Sequence, residues 1–439
     1  MNVVAISRER RLHYGWIVVG ITFLTLLTTA GAMSTPSVLL KPLQQEFGWS
    51  TATISVALSV RMAIFGLMAP FAAALMLRYG LRTMMATSVV IVALGMLASA
   101  AINASWQLVV LWGLVIGGGT GMTALVLGAT VANRWFVSRR GLVIGIMTAS
   151  SATGQLLFLP GYAWIDSVFG WRAVLYTVTT VMLLLAPLIL WLMRNDPADI
   201  GLTAYGEQPP SDTQPPMRGA APSSAIAATF DAFRAAIRSR DFWLLSSGFF
   251  VCGLSTNGLI GTHLIAACSD HGIAEVKAAG LLAMMGAFDL VGTVASGWLS
   301  DRWSNQKLLC IYYAMRGLSL IFLPVALDNS FVTLSIFAAF YGLDWFATLP
   351  PTIRLTTSAF GRKQGPLIFG WMFVAHQIGS AIAAYGAGLT RTVEGTYVPA
   401  FLTSGLMCII AGFLCLFIGS RRVDASGSTS SRAASPANA

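Results

Sequence analysis

The feature that most constrains this chain is its repeated long apolar runs, parted by short polar loops. A helix needs about 20 apolar residues to cross the hydrocarbon core of a bilayer. Inside that core a spanning segment must satisfy its own backbone hydrogen bonds, which a helix does. Twelve spans are predicted, at 16–40, 52–77, 83–102, 107–133, 141–165, 172–193, 242–268, 276–300, 307–327, 330–356, 365–390 and 398–419. Composition supports lipid as the solvent: 56% of the residues are hydrophobic and 10% are charged, against about 25% charged in a soluble globular chain. The fold class expected is an all-α integral membrane protein with two six-helix bundles.

The spans divide six and six around one polar stretch. Residues 1–193 form the N-terminal six-helix half, 194–241 a linker, 242–422 the C-terminal half, and 423–439 a disordered tail. The linker holds Pro197, Pro209, Pro210, Pro215, Pro216 and Pro222; its composition is that of a connector. A short amphipathic helix is expected near 226–240.

The formal net charge is +10. A basic soluble protein would suggest nucleic acid, but that needs a contiguous basic groove, and here the charges lie between apolar runs. They set topology instead. With both termini and the linker on one side, that side carries 21 Lys and Arg and the other carries Lys41, Arg172, Lys277 and Arg391. By the positive-inside rule the termini are cytoplasmic, and the expected location is the cytoplasmic (inner) membrane. After Arg8, Arg10 and Arg11 the apolar run is long and lacks a small-residue cleavage site, so it reads as a retained span. The five cysteines, Cys252, Cys268, Cys310, Cys408 and Cys415, lie in apolar stretches without a CxxC pair; they read as small packing residues.

The halves share an internal repeat. Arg78 and Arg302 differ by 224 positions, as do Phe136 and Phe360, Arg139 and Lys363, Gly141 and Gly365, and Gly48 and Gly272. Gly154 and Gly379, and Gly170 and Gly395, differ by 225. Parallel repeats of this kind place the halves about an axis along the membrane normal, with the substrate site between them.

Gly297, Asp301 and Arg302 form a Gly-x-x-x-Asp-Arg signature that resembles the short cytoplasmic loop of the major facilitator superfamily. The resemblance implies that Asp301, Arg302 and the first-half Arg78 gate alternating access. Leu77 and Ala73 stand where the first copy would have its acid and first glycine, which implies a latch with other partners there. Tyr14-Gly15-Trp16, Glu46-Phe47-Gly48-Trp49-Ser50, Arg134-Trp135-Phe136 and Phe169-Gly170-Trp171-Arg172 are similar to the monocarboxylate transporter and oxalate–formate antiporter branch. Two positions depart from the monocarboxylate pattern. Pro36 is followed by Ser37, with Lys41 one turn further out, and Asp289 is followed four residues later by Thr293, where that pattern has arginine.

Ionisable groups within spans are costly and face a cavity or a partner. Asp289 and Asp344 are the candidate proton-coupling carboxylates. Arg316 lies at similar depth and is either a buried partner of one of them or a functional cation. Arg61 is the candidate anion-binding cation, since a guanidinium fork suits a carboxylate; the alternative is snorkelling to the interface. His376 can titrate near neutrality or bind substrate. His263 is a weaker candidate of the same kind. Asn257, Ser151 and Gln155 are candidate neutral contacts, while Thr28, Thr29, Ser150 and Gln377 are expected to bond between helices. Gly117-Gly118-Gly119-Thr120-Gly121 lacks the strand and Lys-Ser/Thr of a phosphate loop and is expected to pack helices closely. Pro350-Pro351 is expected to kink the inner end of span 10.

The function expected is secondary active transport of a small organic anion, a monocarboxylate, by alternating access, with proton coupling or exchange. Proton-antiport export of a drug, sugar or other metabolite is the alternative, and a non-transporting membrane sensor the alternative of another class. Four scattered histidines and no nucleophile–base set argue against an enzyme. No cofactor, metal or nucleic acid is called for; the partners are substrate, protons and lipid, and the chain is expected to be a monomer.

Overall fold

The computed structural model describes residues 13–123, 126–207 and 222–419. The tail at 423–439, and linker positions 208–221, lie outside the described residues. The described residues are helical apart from their connections, one of which carries an isolated β-bridge between Phe136 and Tyr205. In chain order the helices are α1 (Gly15–Phe47), α2 (Thr51–Tyr79), α3 (Leu81–Ser99), α4 (Ser105–Leu108), α5 (Gly117–Gly121), α6 (Val126–Trp135), α7 (Arg140–Phe169) and α8 (Trp171–Leu192). After the linker come α9 (Pro222–Ala236), α10 (Arg240–Gly253), α11 (Gly261–Asp270), α12 (Glu275–Ser300), α13 (Asn305–Asn329), α14 (Phe331–Asp344), α15 (Leu349–Glu394), which turns a corner between two helices at the non-helical Gly361 (φ 81°, ψ 165°), and α16 (Val398–Cys415). π-Helical segments, Val109–Ile116 and Leu254–Ile260, join α4 to α5 and α10 to α11.

Ten stretches of the described residues are helical, long and apolar enough to cross a membrane. Two further predicted spans, 107–133 and 141–165, fall on the run from Ser105 to Trp135, which passes through 124–125 outside the description, and on α7. Local chemistry sets the ends. Ser50, Ser304 and Ser330 cap α2, α13 and α14 by accepting the backbone N–H three residues on. Gly48 closes α1 with φ 67° and Gly272 turns the chain beyond α11 with φ 76°, the left-handed region that favours glycine.

Two expectations need correction. Span 10 is not kinked at Pro350-Pro351. It breaks earlier, between Asp344 and Leu349, and both prolines sit in the first turn of α15. There a proline's missing N–H costs no intrahelical bond. The amphipathic linker helix starts and stops early, at Pro222 and Ala236, because Ser239 already begins the entry into α10.

Backbone proximity groups α1 with α7, α3 with α8, and α2 with the first π segment. It also groups α13 with α16, α12 with α14, and α10 with α15. Across these sets α2 packs on α15, α7 on α12 and α1 on α11. The loops near residues 48, 170, 272 and 395 mark one end of the bundle, here the far end; the other is the linker end. Small residues let the backbones approach. A Cβ on Gly117 would lie 2.9 Å from the Arg61 carbonyl, and one on Gly121 2.6 Å from Met68 Cβ. The glycine run of the fourth predicted span is therefore a packing surface, as its sequence suggests.

Polar groups in the spans are mostly satisfied locally. Thr28 and Ser150 do not bridge helices; their hydroxyls donate to Leu24 O (2.8 Å) and Met147 O (2.5 Å) of their own helices. The carbonyl one turn back is the nearest acceptor in an apolar setting.

Candidate functional site

Arg61 lies mid-way along α2, with 4% of its surface exposed. Its helix runs antiparallel to α15: the Ser59 hydroxyl donates to Ala381 O at 2.6 Å, and Phe65 meets Phe373 edge-on at 5.8 Å. On this register His376 is opposite residues near 65, about one helical turn from the level of Arg61. The guanidinium donates from Nη1 to Met33 O of α1 at 2.9 Å, while its buried Nε has no partner. Among the described residues no carboxylate pairs with it. A guanidinium carries five N–H donors, and burying one without a counter-charge is costly. Snorkelling to an interface does not describe this buried side chain.

The second buried arginine is the opposite case. Arg316 of α13 donates from Nε to Asp344 Oδ2 at 2.7 Å, from Nη1 to Cys252 Sγ at 3.0 Å, and from Nη2 to Asp344 O (2.5 Å) and Trp345 O (3.2 Å). The break after α14 frees those two carbonyls from helical bonding. Arg316 thus takes Asp344, not Asp289, as its partner, and the two are brought together in one buried ion pair. Cys252 is more than apolar packing: its thiol is a polar junction touched by Arg316, by Thr348 at 3.5 Å and by His376.

Asp289 of α12 is buried but separately engaged. One oxygen, Oδ1, accepts both the Thr293 hydroxyl and the Phe346 N–H at 2.9 Å. It therefore holds the non-helical stretch between α14 and α15. Oδ2 makes no hydrogen bond among the described residues, so a proton added there would leave both existing bonds in place. Gly292 permits this approach, since a Cβ at that position would collide with the Leu343 carbonyl.

His376 is buried on α15 between Phe249, with ring centroids 4.7 Å apart, and Phe373, stacked at 5.7 Å; its Nδ1 has no partner. Asn257 lies half-buried on the second π segment, against α15. π-Helical turns often mark functional sites. The side chains of Ser151 and Gln155 lie outside the described residues. His263 is bonded through Nε2 to Ala384 O at 2.8 Å and packs on Tyr397, while its buried Nδ1 has no partner among the described residues.

At the linker end Asp301 pairs with Arg354, joining α12 to α15. Arg302 instead stacks on Trp298, 4.2 Å from the ring centroid, and donates to Trp298 O. Arg78 lies over Tyr79 at 5.2 Å. Sequence reasoning missed Arg354 as the partner of Asp301, and Asp270 at the far end. Asp270 receives Lys41 Nζ (2.5 Å) on one oxygen and Arg391 Nε (2.6 Å) on the other. Its spacing from Glu46 is 224 residues, a signal that could have flagged it.

Residues 22–384 match the family described as Major Facilitator Superfamily. Monocarboxylate transporter 13 of Rattus norvegicus is 26% identical over 408 residues, covering 91% of this chain and 87% of that protein. An uncharacterized MFS-type transporter of Bacillus subtilis (strain 168), YcxA, is 24% identical, covering 85% and 88%. A crystal structure of a bacterial homolog of the human lysosomal transporter Spinster, inward-facing and unoccupied, superposes with a TM-score of 0.68 at 15% identity, covering 93% of this chain and 96% of that one.

Proposed function

The chain belongs to the Major Facilitator Superfamily and is a secondary transporter; from that premise we propose that it moves a small organic anion, a monocarboxylate, in step with a proton or by exchange. The observation that carries this reading is Arg61. It is a buried guanidinium with spare donors and no carboxylate partner among the described residues. A substrate carboxylate supplies the missing charge and the fork-shaped partner that guanidinium favours. The names of the monocarboxylate transporter relatives agree with that chemistry.

Asp289 is the proposed coupling carboxylate, because its Oδ2 can take a proton without disturbing the bonds on Oδ1. An anion on Arg61 and a proton on Asp289 together neutralise the interior, so moving both costs less than moving either alone. His376 and Asn257 are proposed substrate contacts, with Ser151 and Gln155 on α7. The Arg316–Asp344 pair is proposed as the fixed strut of its half. The halves, 1–193 and 242–422, rock about this site, with the Asp301–Arg354 pair holding the linker end of one half.

The charge asymmetry favours the linker end as cytoplasmic. The polar bonds that join the first six spans to the last six, among the described residues, include Lys41–Asp270, Ala52–Thr392 and Ser59–Ala381. All belong to the far-end half of α2 or the far tips of α1, α11 and α15. That pattern is the proposed inward-open form.

The test is uptake of radiolabelled short carboxylates into proteoliposomes, with and without an imposed pH gradient. The wild type is expected to accumulate at least one carboxylate, and Arg61→Gln to lose that uptake. Movement of sugars or cationic drugs but of no carboxylate would replace this reading with the exporter one.

A further inference from the structure

The linker helix α9 lies beside both α2 and α15, one helix from each set of spans. Its helical spacing puts Thr229, Ala232, Phe233 and Ala236 on one face. Thr229, Ala232 and Ala236 are buried, while Asp231 and Arg234 on the other side are exposed. The inner face is fastened to the second half. The Trp371 indole N–H of α15 donates to Thr229 O at 3.0 Å, and Phe233 stacks on the Trp371 ring with centroids 4.4 Å apart. Phe233 also meets Phe242 of α10 edge-on at 6.1 Å. Residues 237–239 then carry α9 directly into α10.

The ring that reaches the first half is Phe230. It lies 6.0 Å from Phe71 of α2 and 5.7 Å from Trp371 of α15. Among the described residues no ring contact joins Phe71 to Trp371 directly. The antiparallel register of α2 on α15, set by Ser59 with Ala381 and Phe65 with Phe373, brings Phe71 level with residues near 368, within one turn of Trp371. Phe230 is therefore a spacer over the seam between α2 and α15, on the linker side of the far-end ties. Its attachment is lopsided. A hydrogen bond and three ring contacts hold α9 to the second half, and one tilted ring pair reaches the first. When the halves rock, the weaker joint is the one that gives.

We propose that α9 is a prop carried by the second half: Phe230, wedged against Phe71, holds the linker end open, and the transporter rocks to its other form only as that ring pair slips. The inference rests on the inward-open assignment and uses none of the anion-site contacts. Closing the linker end brings α2 and α15 together where Phe230 sits. The ring must leave Phe71 for that to happen, and α9, still fixed to Trp371, carries it away with the second half. The pair therefore favours the present form and slows departure from it.

The experiment places spin labels at Thr83→Cys on α3 and Lys307→Cys on α13, both exposed linker-end positions, in a Cys310→Ser background. Distance distributions are read in purified full-length protein, as the ratio of short (linker end closed) to long (open) separations. Phe230→Ala is expected to raise that ratio about twofold to tenfold, the worth of one aromatic pair. Phe71→Ala should do the same, and the double variant should go no further than either single one, because both remove one contact. Phe230→Tyr keeps the ring and should stay near wild type. Melting curves on the same preparations check that each variant is folded. An unchanged ratio in both single variants overturns the proposal. So does full additivity in the double variant, which makes α9 a membrane-surface helix without a direct hold on α2. A shift toward long separations in Phe230→Ala overturns it too, since the contact would then favour closure. A wild type found wholly at the short separation removes the inward-open assignment and the prop together, and leaves the carboxylate reading standing. Conversely, populations that shift as expected in a protein that moves no carboxylate retain the prop and remove the anion reading.

Discussion

Asp289 on α12 accepts the backbone N–H of Phe346, 57 residues further along the chain, at 2.9 Å. One carboxylate oxygen thereby fastens the break between α14 and α15, leaving the other oxygen for a proton. The two roles separate by substitution. Asp289→Asn keeps an oxygen acceptor and is expected to leave thermal stability in detergent within about 1 kcal/mol, while carboxylate uptake loses its dependence on an imposed pH gradient. Asp289→Ala strands a buried N–H and should cost about 1–3 kcal/mol, read as a lower unfolding midpoint. If Asp289→Asn retains full response to the pH gradient, Asp289 is only a backbone anchor.

The Arg316–Asp344 pair is expected to behave as a strut. Arg316→Met leaves Asp344 buried without its cation and should destabilise the protein by about 3–5 kcal/mol. Adding Asp344→Asn removes the uncompensated charge and should recover most of that loss. Thermal unfolding of the two variants in the same detergent measures both effects. No recovery in the double variant would mean that the bonds of Arg316 to Cys252 and the freed carbonyls, not its charge pairing, hold the fold.

Arg61 should tolerate no neutral replacement in transport. Arg61→Gln removes a charge-assisted contact worth about 1.5–3 kcal/mol, so the apparent affinity for carboxylate should fall by roughly tenfold to a hundredfold. Arg61→Lys keeps the charge without the fork and should fall between the two. Stability is expected to stay level or rise in Arg61→Gln, since a buried unpaired cation is removed. Concentration-dependent uptake and a melting curve on the same preparations decide this.

The Asp301–Arg354 contact is half-exposed at both partners, with 54% and 48% of the side-chain surface accessible. An ion pair of that kind contributes about 0–1 kcal/mol to stability. Asp301→Asn should therefore melt near the wild-type temperature while changing the rate of carboxylate exchange. A large stability loss with unchanged exchange would assign the pair to the fold rather than to the gate.

The spans were legible because lipid imposes one length and one solution to backbone bonding, and 12 apolar runs leave little freedom. Arg61 stood out for the same reason, as a charge where charge is costly. The partner of Arg316 was not legible. Asp289 and Asp344 lie at similar depth, and the choice between them depends on the chain breaking after Asp344, which frees carbonyls for the guanidinium. The sequence advertises that break falsely, through Pro350-Pro351, because proline is as comfortable at a helix start as it is disruptive inside one. Cys252 was hidden by its apolar neighbours in sequence; only the reach of Arg316 from α13 to α10 makes it a hydrogen-bond acceptor.

The π-helical stretch Leu254–Ile260 has a mechanical consequence for the helix it feeds. It winds more loosely than the α-helical segments on either side, like a slackened turn in a screw thread. Each α-helical residue advances the winding by about 100° and 1.5 Å, so taking up one residue of that slack would swivel the downstream segment by roughly a quarter turn. The segment so turned, Gly261–Asp270, ends on the carboxylate that grips Lys41 and Arg391. Torque applied in the middle of the bundle therefore reaches its far mouth along one continuous helix, without any loop having to bend.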